Sequence, residues 1–242
     1  MGAGGVATTG RATTRVVVVD DDDDVRESVA WRLDQAGCAV FSAADGTEAI
    51  DLIDSTYPDV VVIDLVLPGR SGLDVLRAAR ALDSNPIIIV VSGRSDETDR
   101  IVAFEMGADD FVVKPFSPRE LVARVNSFQR RRLANAADST TDSAIRFDGL
   151  LIDLERREAL VRGRSVRLTV REFELLVFLA RSPGRVYSRE ELLREVWDST
   201  TEWQDGATVT EHVRRLRLKL EDDPRNPRWI LNVRGHGYVF EG

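Results

Sequence analysis

Five polar residues in the first half of the sequence stand where short apolar runs end, and together they could transfer a phosphoryl group. Uninterrupted β-branched runs such as residues 60–63 are typical of strands buried on both faces of a parallel sheet. The carboxyl ends of parallel strands meet at one edge, which is where open α/β sheets bind their ligands. The five residues expected at this edge are Asp20, Asp21, Asp64, Ser92 and Lys114.

The residue types at this edge favour magnesium-dependent phosphoryl transfer. Carboxylates placed so close together repel each other, and Mg²⁺, which prefers oxygen ligands, would relieve the repulsion. The Ser92 hydroxyl and the Lys114 ammonium could hold phosphoryl oxygens, while Asp64 accepts the group as an aspartyl-phosphate. Taken alone, Asp64 could equally cap its own loop, and it is the shared edge that favours the chemical role.

Strand and helix patterns alternate five times around these residues. Such alternation is typical of a doubly wound, five-stranded parallel α/β sheet with helices on both faces. The peptide bond before Pro115 could be cis, which would fix the direction of the neighbouring lysine. The predicted strands are residues 16–19, 39–41, 60–64, 87–91 and 111–113, and the predicted helices are residues 25–36, 46–53, 73–82, 98–106 and 118–132.

Composition divides the chain into halves with different charge. Residues 1–144 contain 15 basic and 24 acidic residues, whereas residues 145–242 contain 18 and 17, which indicates two separate tasks.

Cys38 is the only cysteine, so no disulfide or cysteine metal site can form within one chain. The chain has neither the roughly 18-residue apolar run of a membrane helix nor a signal peptide, which predicts a cytoplasmic protein without a membrane partner.

Four segments follow from these patterns. Residues 1–14 are predicted to form a disordered tail, and residues 15–134 a first domain that contains the acidic edge. Residues 135–144 are small and polar and are typical of a flexible linker. Residues 145–242 are predicted to form a second, α+β domain.

The second half begins with short strands and continues with three helices and a glycine-tipped hairpin. Two of the helices begin with the capping-box pattern, at Thr169 with Glu172 and at Ser188 with Glu191. The predicted strands are residues 145–147, 150–153, 159–161 and 166–167, the helices are residues 169–180, 188–197 and 208–220, and the hairpin covers residues 229–240.

The last of these helices has a basic face that could enter the major groove of DNA. Its apolar residues form one buried stripe, Val209, Val213, Leu216 and Leu220. The opposite, outward face is predicted to carry Thr208, Glu211, His212, Arg215 and Lys219, flanked by Arg214 and Arg217. Arginine can pair with guanine, and flanking cations can meet phosphates. A solvated helix face is the alternative for a basic helix alone, but the hairpin that follows favours a DNA-binding domain.

Residues 15 to about 130 resemble the receiver domain of two-component response regulators. The matching segments are Val-Val-Asp-Asp-Asp at 18–22, Ile-Asp-Leu-Val-Leu-Pro-Gly at 63–69, Val-Ser-Gly-Arg at 91–94 and Gly-Ala-Asp-Asp-Phe-Val-Val-Lys-Pro-Phe at 107–116. The resemblance implies that Asp64 is the phosphoacceptor and that Ser92 and Lys114 bind the phosphoryl group. It also implies the Mg²⁺ ligands, namely Asp21, Asp64, the Val66 carbonyl and, through water, Asp20.

One position departs from this family. Phe111 stands where the subfamily usually has a switch tyrosine. Phenylalanine can still rotate inward, with Ser92 as its switch partner, but it lacks the hydroxyl that stabilises one of the two states. The resemblance therefore preserves the switch and leaves the balance between its states open.

The second half resembles the winged-helix DNA-binding domain of OmpR/PhoB-type regulators. The similar segments are Thr208-Val209, His212-Val213, Arg215-Leu216-Arg217 and Asn232-Val233-Arg234-Gly235-His236-Gly237-Tyr238. Arg215 is expected to contact a base, and Arg214 and Arg217 mainly phosphates. The full set of predicted DNA contacts is Thr208, His212, Arg214, Arg215, Arg217, Lys219, Asn232 and Arg234.

Together the two resemblances imply a transcription factor, not an enzyme, that is activated by phosphorylation and binds double-stranded promoter DNA. Both histidines, His212 and His236, lie in the DNA-binding half, so the donor is expected to be a partner sensor histidine kinase. A phosphatase would need a second aspartate where Val66 stands. The remaining alternative is a DNA-binding regulator whose receiver dimerises without phosphorylation.

The resemblance further implies a homodimer on phosphorylation, through the fourth helix, fifth strand and fifth helix of the receiver. Across a two-fold interface Arg100 would face Glu120, and Asp110 would face Arg124. Local pairing of these charges within one chain is the alternative. The predicted surface comprises Arg100, Phe104, Asp109, Asp110, Glu120, Ala123 and Arg124.

Overall fold

The structure is a computed structural model that describes residues 13–93, 97–137, 143–198 and 206–242. Residues 1–12 of the predicted tail and residues 138–142 of the predicted linker lie outside the described residues. None of the helices in the described part of the chain is long and apolar enough to cross a membrane.

The first domain is built on one parallel sheet with strand order β2-β1-β3-β4-β5. The strands are β1 (Arg15–Val19), β2 (Ala39–Ala43), β3 (Val60–Asp64), β4 (Ile87–Ser92) and β5 (Asp110–Val113). The helices that alternate with them are α1 (Asp23–Gln35), α2 (Gly46–Thr56), α3 (Gly72–Ala81), α4 (Glu97–Glu105) and α5 (Pro118–Ala137). The doubly wound receiver fold is confirmed.

Two apolar layers enclose this sheet, one on each face. On one face Val17 and Val61 pack with residues of α2, α3 and α4, and on the other Val16 and Val60 pack with α1 and α5. Because both faces are covered, neighbouring residues of one strand must all be apolar, which explains the uninterrupted runs. Every residue of β3 and β4 is buried, including Asp64 at the end of β3.

The second domain contains a four-stranded antiparallel sheet, three helices and a three-stranded sheet that includes the hairpin. The first sheet is formed by β6 (Ala144–Phe147), β7 (Leu150–Asp153), β8 (Glu158–Val161) and β9 (Arg164–Val166). The elements that follow are α6 (Val170–Ala180), β10 (Val186–Tyr187), α7 (Arg189–Leu192), α8 (Ala207–Leu220), β11 (Ile230–Val233) and β12 (Gly237–Phe240).

The structure departs from the predicted elements in a few places. The predicted helix over residues 188–197 consists of α7 followed by a π-helical turn, Leu193–Trp197. Strand β10 was not predicted because its two residues show no periodicity, yet it pairs with β12. Helix α5 extends three residues into the predicted linker. Both capping boxes are confirmed, and the bond between Lys114 and Pro115 is cis.

The loop that carries Asp64 depends on Gly72, the first residue of α3. A Cβ atom at this position would overlap the Asp64 carbonyl and lie 2.6 Å from Leu65 Cα. Gly72→Ala is therefore expected to destabilise the protein by about 1–3 kcal/mol, since backbone must move to admit the methyl group. The measurement is urea denaturation, with Gly93→Ala as the control, because a Cβ there meets nothing within 4 Å. Equal midpoints for the two variants would contradict this account.

Candidate functional site

The ammonium group of Lys114 joins two carboxylates at the carboxyl edge of the parallel sheet. Its Nζ atom lies 2.7 Å from Asp20 Oδ2 and 2.5 Å from Asp64 Oδ2. Asp21 lies beside them, and one oxygen from each of the three carboxylates falls within 4.8 Å of the others. The structure thus brings together the charged residues that the sequence placed at this edge.

Strand register explains why these residues meet. Val19 of β1 pairs with Ile63 of β3, so the next residues, Asp20 and Asp64, are neighbours. In the same way Asp64 pairs with Val91 of β4, so Ser92 follows one residue beyond that pair, where it is completely buried. Ser92 in turn pairs with Val113 of β5, which places Lys114 one residue further along the same edge.

Burial and charge shift the proton affinities at this edge. Burial raises the pKa of Asp20 and the charge of Asp64 adds to the rise, although Lys114 opposes it. Burial alone would lower the pKa of Lys114, but its hydrogen bonds to Asp20 and Asp64 and their charges outweigh burial, and the pKa is raised. Lys114 therefore stays protonated, whereas burial makes the negative charge of Asp20 unfavourable.

This edge fits a hard divalent cation. Three carboxylates with oxygen atoms this close are the ligand type that Mg²⁺ prefers, and a cation would offset the burial that raises the pKa of Asp20. Asp64 Oδ1 accepts the Val66 backbone N–H at 2.9 Å, so the loop that would offer the Val66 carbonyl is held against the acidic residues.

The predicted switch residue Phe111 is already buried. Its ring lies 6.4 Å from that of Phe104 and belongs to the apolar layer beneath α4. Phe111 therefore lies within an apolar layer in this arrangement, in which the second domain also packs against α4, and its role as the switch residue stays a prediction.

Helix α8 carries the predicted DNA-reading face, but the structure covers the centre of that face. The buried stripe of Val209, Val213, Leu216 and Leu220 is confirmed. The prediction that Thr208, His212 and Arg215 face outward is wrong here, because all three are at most 5% exposed. Residues Glu211, Arg214, Arg217 and Lys219 remain partly exposed. The helix therefore presents its flanks to solvent and the centre of its basic face to the receiver.

The receiver and the rest of the second domain together supply the groups that cover α8. Arg215 donates to the Ala108 carbonyl at 2.9 Å and forms an ion pair of 2.7 Å with Glu172 of α6. The His212 ring lies 5.3 Å from the Phe104 ring of α4. Arg214 reaches Glu105 at 2.9 Å. The amphipathic pattern of a single helix contains no information about which other surface packs on it. For this reason the sequence predicted that these residues face solvent.

The hairpin remains accessible. Asn232 and Arg234, the two predicted DNA contacts of the hairpin, are exposed. Arg217 donates from Nε to the Ile230 carbonyl at 2.9 Å, so it links α8 to the hairpin as well as offering charge to a phosphate. The hairpin and the flank of α8 therefore stay exposed while the centre of the reading face is covered.

One of the two charge pairs predicted to cross a dimer interface, Asp110 with Arg124, is formed inside one chain, and Glu120 also binds Arg124. Arg124 binds Asp110 at 2.7 Å and Glu120 at 2.6 Å, and it is nearly fully buried. Local pairing, the alternative to the predicted pairing of Asp110 with Arg124 between subunits, is thus what the structure shows. Arg100 and Ala123 remain partly exposed.

Asp109 was predicted to lie on the dimer surface but instead joins the two domains. Its carboxylate forms an ion pair with Arg80 and accepts the backbone N–H groups of Ile88, at 3.0 Å, and Arg171, at 3.3 Å. Its carbonyl accepts Trp197 Nε1–H at 3.4 Å. Although burial opposes it, the Arg80 charge and hydrogen bonds from the Ile88 backbone N–H and the Thr169 side chain lower the pKa of Asp109.

Sequence reasoning missed the partners of Asp109. Arg80 resembles any solvent-facing arginine of an amphipathic helix, and Arg171 lies in a first turn where charged residues are ordinary. Of the charged residues near this contact, only Glu172 belongs to a recognisable sequence pattern, the capping box. That pattern indicates the start of a helix and not a contact between domains. The interdomain role of these residues depends on long-range packing, for which the sequence contains no local pattern.

Family models match both halves of the chain. A model of the response regulator receiver domain matches residues 16–126, and a model of the C-terminal domain of transcriptional regulatory proteins matches residues 163–240. These families describe regulators of transcription, which are not an enzyme class.

Relatives match nearly the whole chain. It is 42% identical over 220 residues to the transcriptional regulator ycf27 of Guillardia theta, covering 90% of this chain and 86% of the relative. It is 38% identical over 229 residues to the sensory transduction protein RegX3 of Mycolicibacterium smegmatis, covering 95% and 100%. The crystal structure of the response regulator DrrB, a Thermotoga maritima OmpR/PhoB homolog, is 33% identical, covers 95% of this chain and 100% of its own, and has a TM-score of 0.50. The chain therefore belongs to the OmpR/PhoB family of two-component response regulators, and it is a transcription factor with a receiver and a C-terminal DNA-binding domain.

Proposed function

We propose that Asp64 accepts a phosphoryl group from a partner sensor histidine kinase and that this modification controls binding to double-stranded promoter DNA. The observation that carries the proposal is the Lys114 ammonium, within 2.7 Å of both Asp20 and Asp64 at the ligand-binding edge of the sheet. A fixed cation at this point can hold a phosphoryl oxygen as charge develops during transfer.

In the proposed transfer an oxygen of Asp64 attacks phosphorus. The bond between phosphorus and the donor nitrogen breaks, its electron pair leaves with the donor, and a new O–P bond forms on Asp64. Lys114, which holds Asp64 directly, is placed to move onto a phosphoryl oxygen, and the Ser92 hydroxyl to donate to another. These contacts would replace the contact by which Lys114 holds the unmodified Asp64 carboxylate. Phosphorylation would therefore change the contacts of Ser92, at the end of β4, and of Lys114, just after β5.

A magnesium ion would be held by Asp21, Asp64 and the Val66 carbonyl and, through water, by Asp20. When bound it neutralises charge on the phosphoryl oxygens and the surrounding carboxylates. Such a cation would stabilise the charged form of Asp20, whose pKa is raised chiefly by burial. The proposed ligands are all oxygen atoms, which matches the preference of the metal.

DNA recognition is proposed to use α8 in the major groove, with Arg215 at a base edge and Arg214 and Arg217 at phosphates. Thr208, His212 and Lys219 complete the helix contribution, and Asn232 and Arg234 add contacts from the hairpin. Because the Ala108 carbonyl of the receiver holds Arg215, DNA can reach Arg215 only after the domains separate, and its ion pair with Glu172 of the same domain must also open. The same separation would uncover Phe104 and Asp109 for the proposed receiver homodimer.

Asp64→Asn is expected to abolish phosphorylation, because an amide oxygen is too weak a nucleophile to accept the group. The protein is incubated with a small phosphodonor and Mg²⁺, and its intact mass is measured. Wild type and the control Asp51→Asn, changed at an exposed position of α2, should each gain one phosphate. Stoichiometric labelling of Asp64→Asn would show that another residue accepts the group.

Removing Mg²⁺ with a chelator is expected to slow labelling of the wild-type chain by at least tenfold, because the buried carboxylates would then repel the incoming phosphoryl group. Re-addition of Mg²⁺ should restore the rate, whereas monovalent salt at equal ionic strength should not. Labelling that proceeds equally fast in the chelator would contradict the assignment of the acidic residues as a metal site.

Arg215→Ala is expected to relax DNA sequence preference at one position and to cost roughly 1–3 kcal/mol on specific DNA. Arg214→Ala should instead weaken specific and random DNA alike and reduce the salt slope by about one unit. Both DNAs bind the separated form, so any effect on domain closure cancels in the ratio of the two affinities. If Arg215→Ala weakens specific and random DNA equally, the assignment of Arg215 to a base edge is wrong.

A further inference from the structure

His212 is enclosed between the two domains with one ring nitrogen that has no partner. It is completely buried, and its ring stands edge-on to Phe104 of α4 at 5.3 Å and to Trp197 of the π-helical turn at 5.0 Å. Nδ1 lies 2.9 Å from the Thr208 carbonyl, an acceptor, so Nδ1 carries the hydrogen. Nε2 has no hydrogen-bond partner among the described residues. The ring therefore fits this place as a neutral imidazole.

The charges around His212 offer no acceptor to a proton on Nε2. Arg215 of the same helix repels a second cation, while α4 and the π-helical turn contribute the uncharged rings of Phe104 and Trp197. The negative groups that act on the ring are Asp109 from the receiver and Glu172 from α6. Both are already committed, Asp109 to Arg80 and backbone N–H groups, and Glu172 to Arg215 and Lys219.

We infer that the closed arrangement of the two domains admits only neutral His212, so that protonation of this ring drives the domains apart and uncovers the DNA-reading face. The inference rests on the proposed function only in taking α8 as the element that reads DNA. The freed imidazolium would also add a positive charge to the face that meets phosphates.

The sign of the effect follows from linkage. Burial, with Arg215 adding to it, lowers the pKa of His212 from 6.5 to about 4 in the closed chain. In the open chain the side of the ring that Phe104 covered meets water, and its pKa returns toward 6.5. The contribution of neutral His212 to closure is therefore complete above pH 6.5 and declines as the pH falls toward 4. The equilibrium constant for opening should rise about fourfold between pH 7.5 and pH 6.0.

Hydrogen exchange of the unphosphorylated chain without DNA tests this inference. The reporter is the Arg171 backbone N–H, whose acceptor is Asp109 on the other domain. After correction for the intrinsic pH dependence of exchange, its protection factor in wild type should be about fourfold lower at pH 6.0 than at pH 7.5. His236→Gln, which removes the exposed histidine, should behave as wild type, and His212→Gln should show the same protection at both pH values.

Protection in wild type that does not change with pH would overturn the inference, as would an unchanged pH dependence in His212→Gln. If His212→Gln fails to close, the imidazole resonances of wild type provide a second measurement, since the chain has only two histidines. The His212 ring should then remain neutral from pH 7.5 to pH 6.0 in the closed chain, and a protonated ring in a closed chain would also overturn it. Neither measurement involves Asp64 or DNA, so failure of the proposed phosphorylation would leave both outcomes unaffected.

Discussion

Packing of helix α8 against the receiver is the interaction on which the behaviour of the whole chain depends. It covers Arg215 and His212 of the DNA-binding domain and Phe104 of the receiver, and beside it α6 and the π-helical turn cover Asp109. The contact is largely polar, as interfaces between domains of one chain usually are, and such interfaces permit domain motion. We therefore expect each domain to inhibit the proposed activity of the other, and a signal that separates them to release both.

Strands β4 and β5 connect the acidic edge to this contact. β5 has Asp109 before its first residue and Lys114 after its last, and β4 runs from near Ile88, whose N–H binds Asp109, to Ser92. We expect rearrangement of Lys114 and Ser92 around a phosphoryl group to reach Asp109 along these rigid strands. Converting a 99:1 closed population to 1:99 requires about 5.5 kcal/mol, and two or three charge-assisted hydrogen bonds at about 1.5–3 kcal/mol each supply a difference of that size.

Local patterns in the sequence predicted the parallel sheet, both capping boxes and the meeting of Asp20, Asp64 and Lys114, because each depends on strand periodicity and on where strands end. The burial of Arg215 and the pairing of Arg124 within one chain could not be predicted in this way. Both depend on which surface lies opposite a helix, and residues such as Ala108 and Arg215 are separated by more than a hundred positions. The amphipathic pattern of α8 correctly gave its apolar stripe but could not show that its polar face is covered as well.

A reversible lock on the closed form tests most directly whether phosphorylation acts by uncovering α8. The Asn85 side chain donates to the Leu168 carbonyl of the other domain at 3.0 Å, and neither residue is itself a predicted DNA contact, so Asn85→Cys with Leu168→Cys is the pair chosen to close a disulfide across the interface. The oxidised chain should take up phosphate at Asp64 yet fail to bind DNA selected by the phosphorylated wild type, and reduction should restore binding in the same sample. Equal DNA affinity before and after reduction, with the disulfide shown to be complete, would contradict the account.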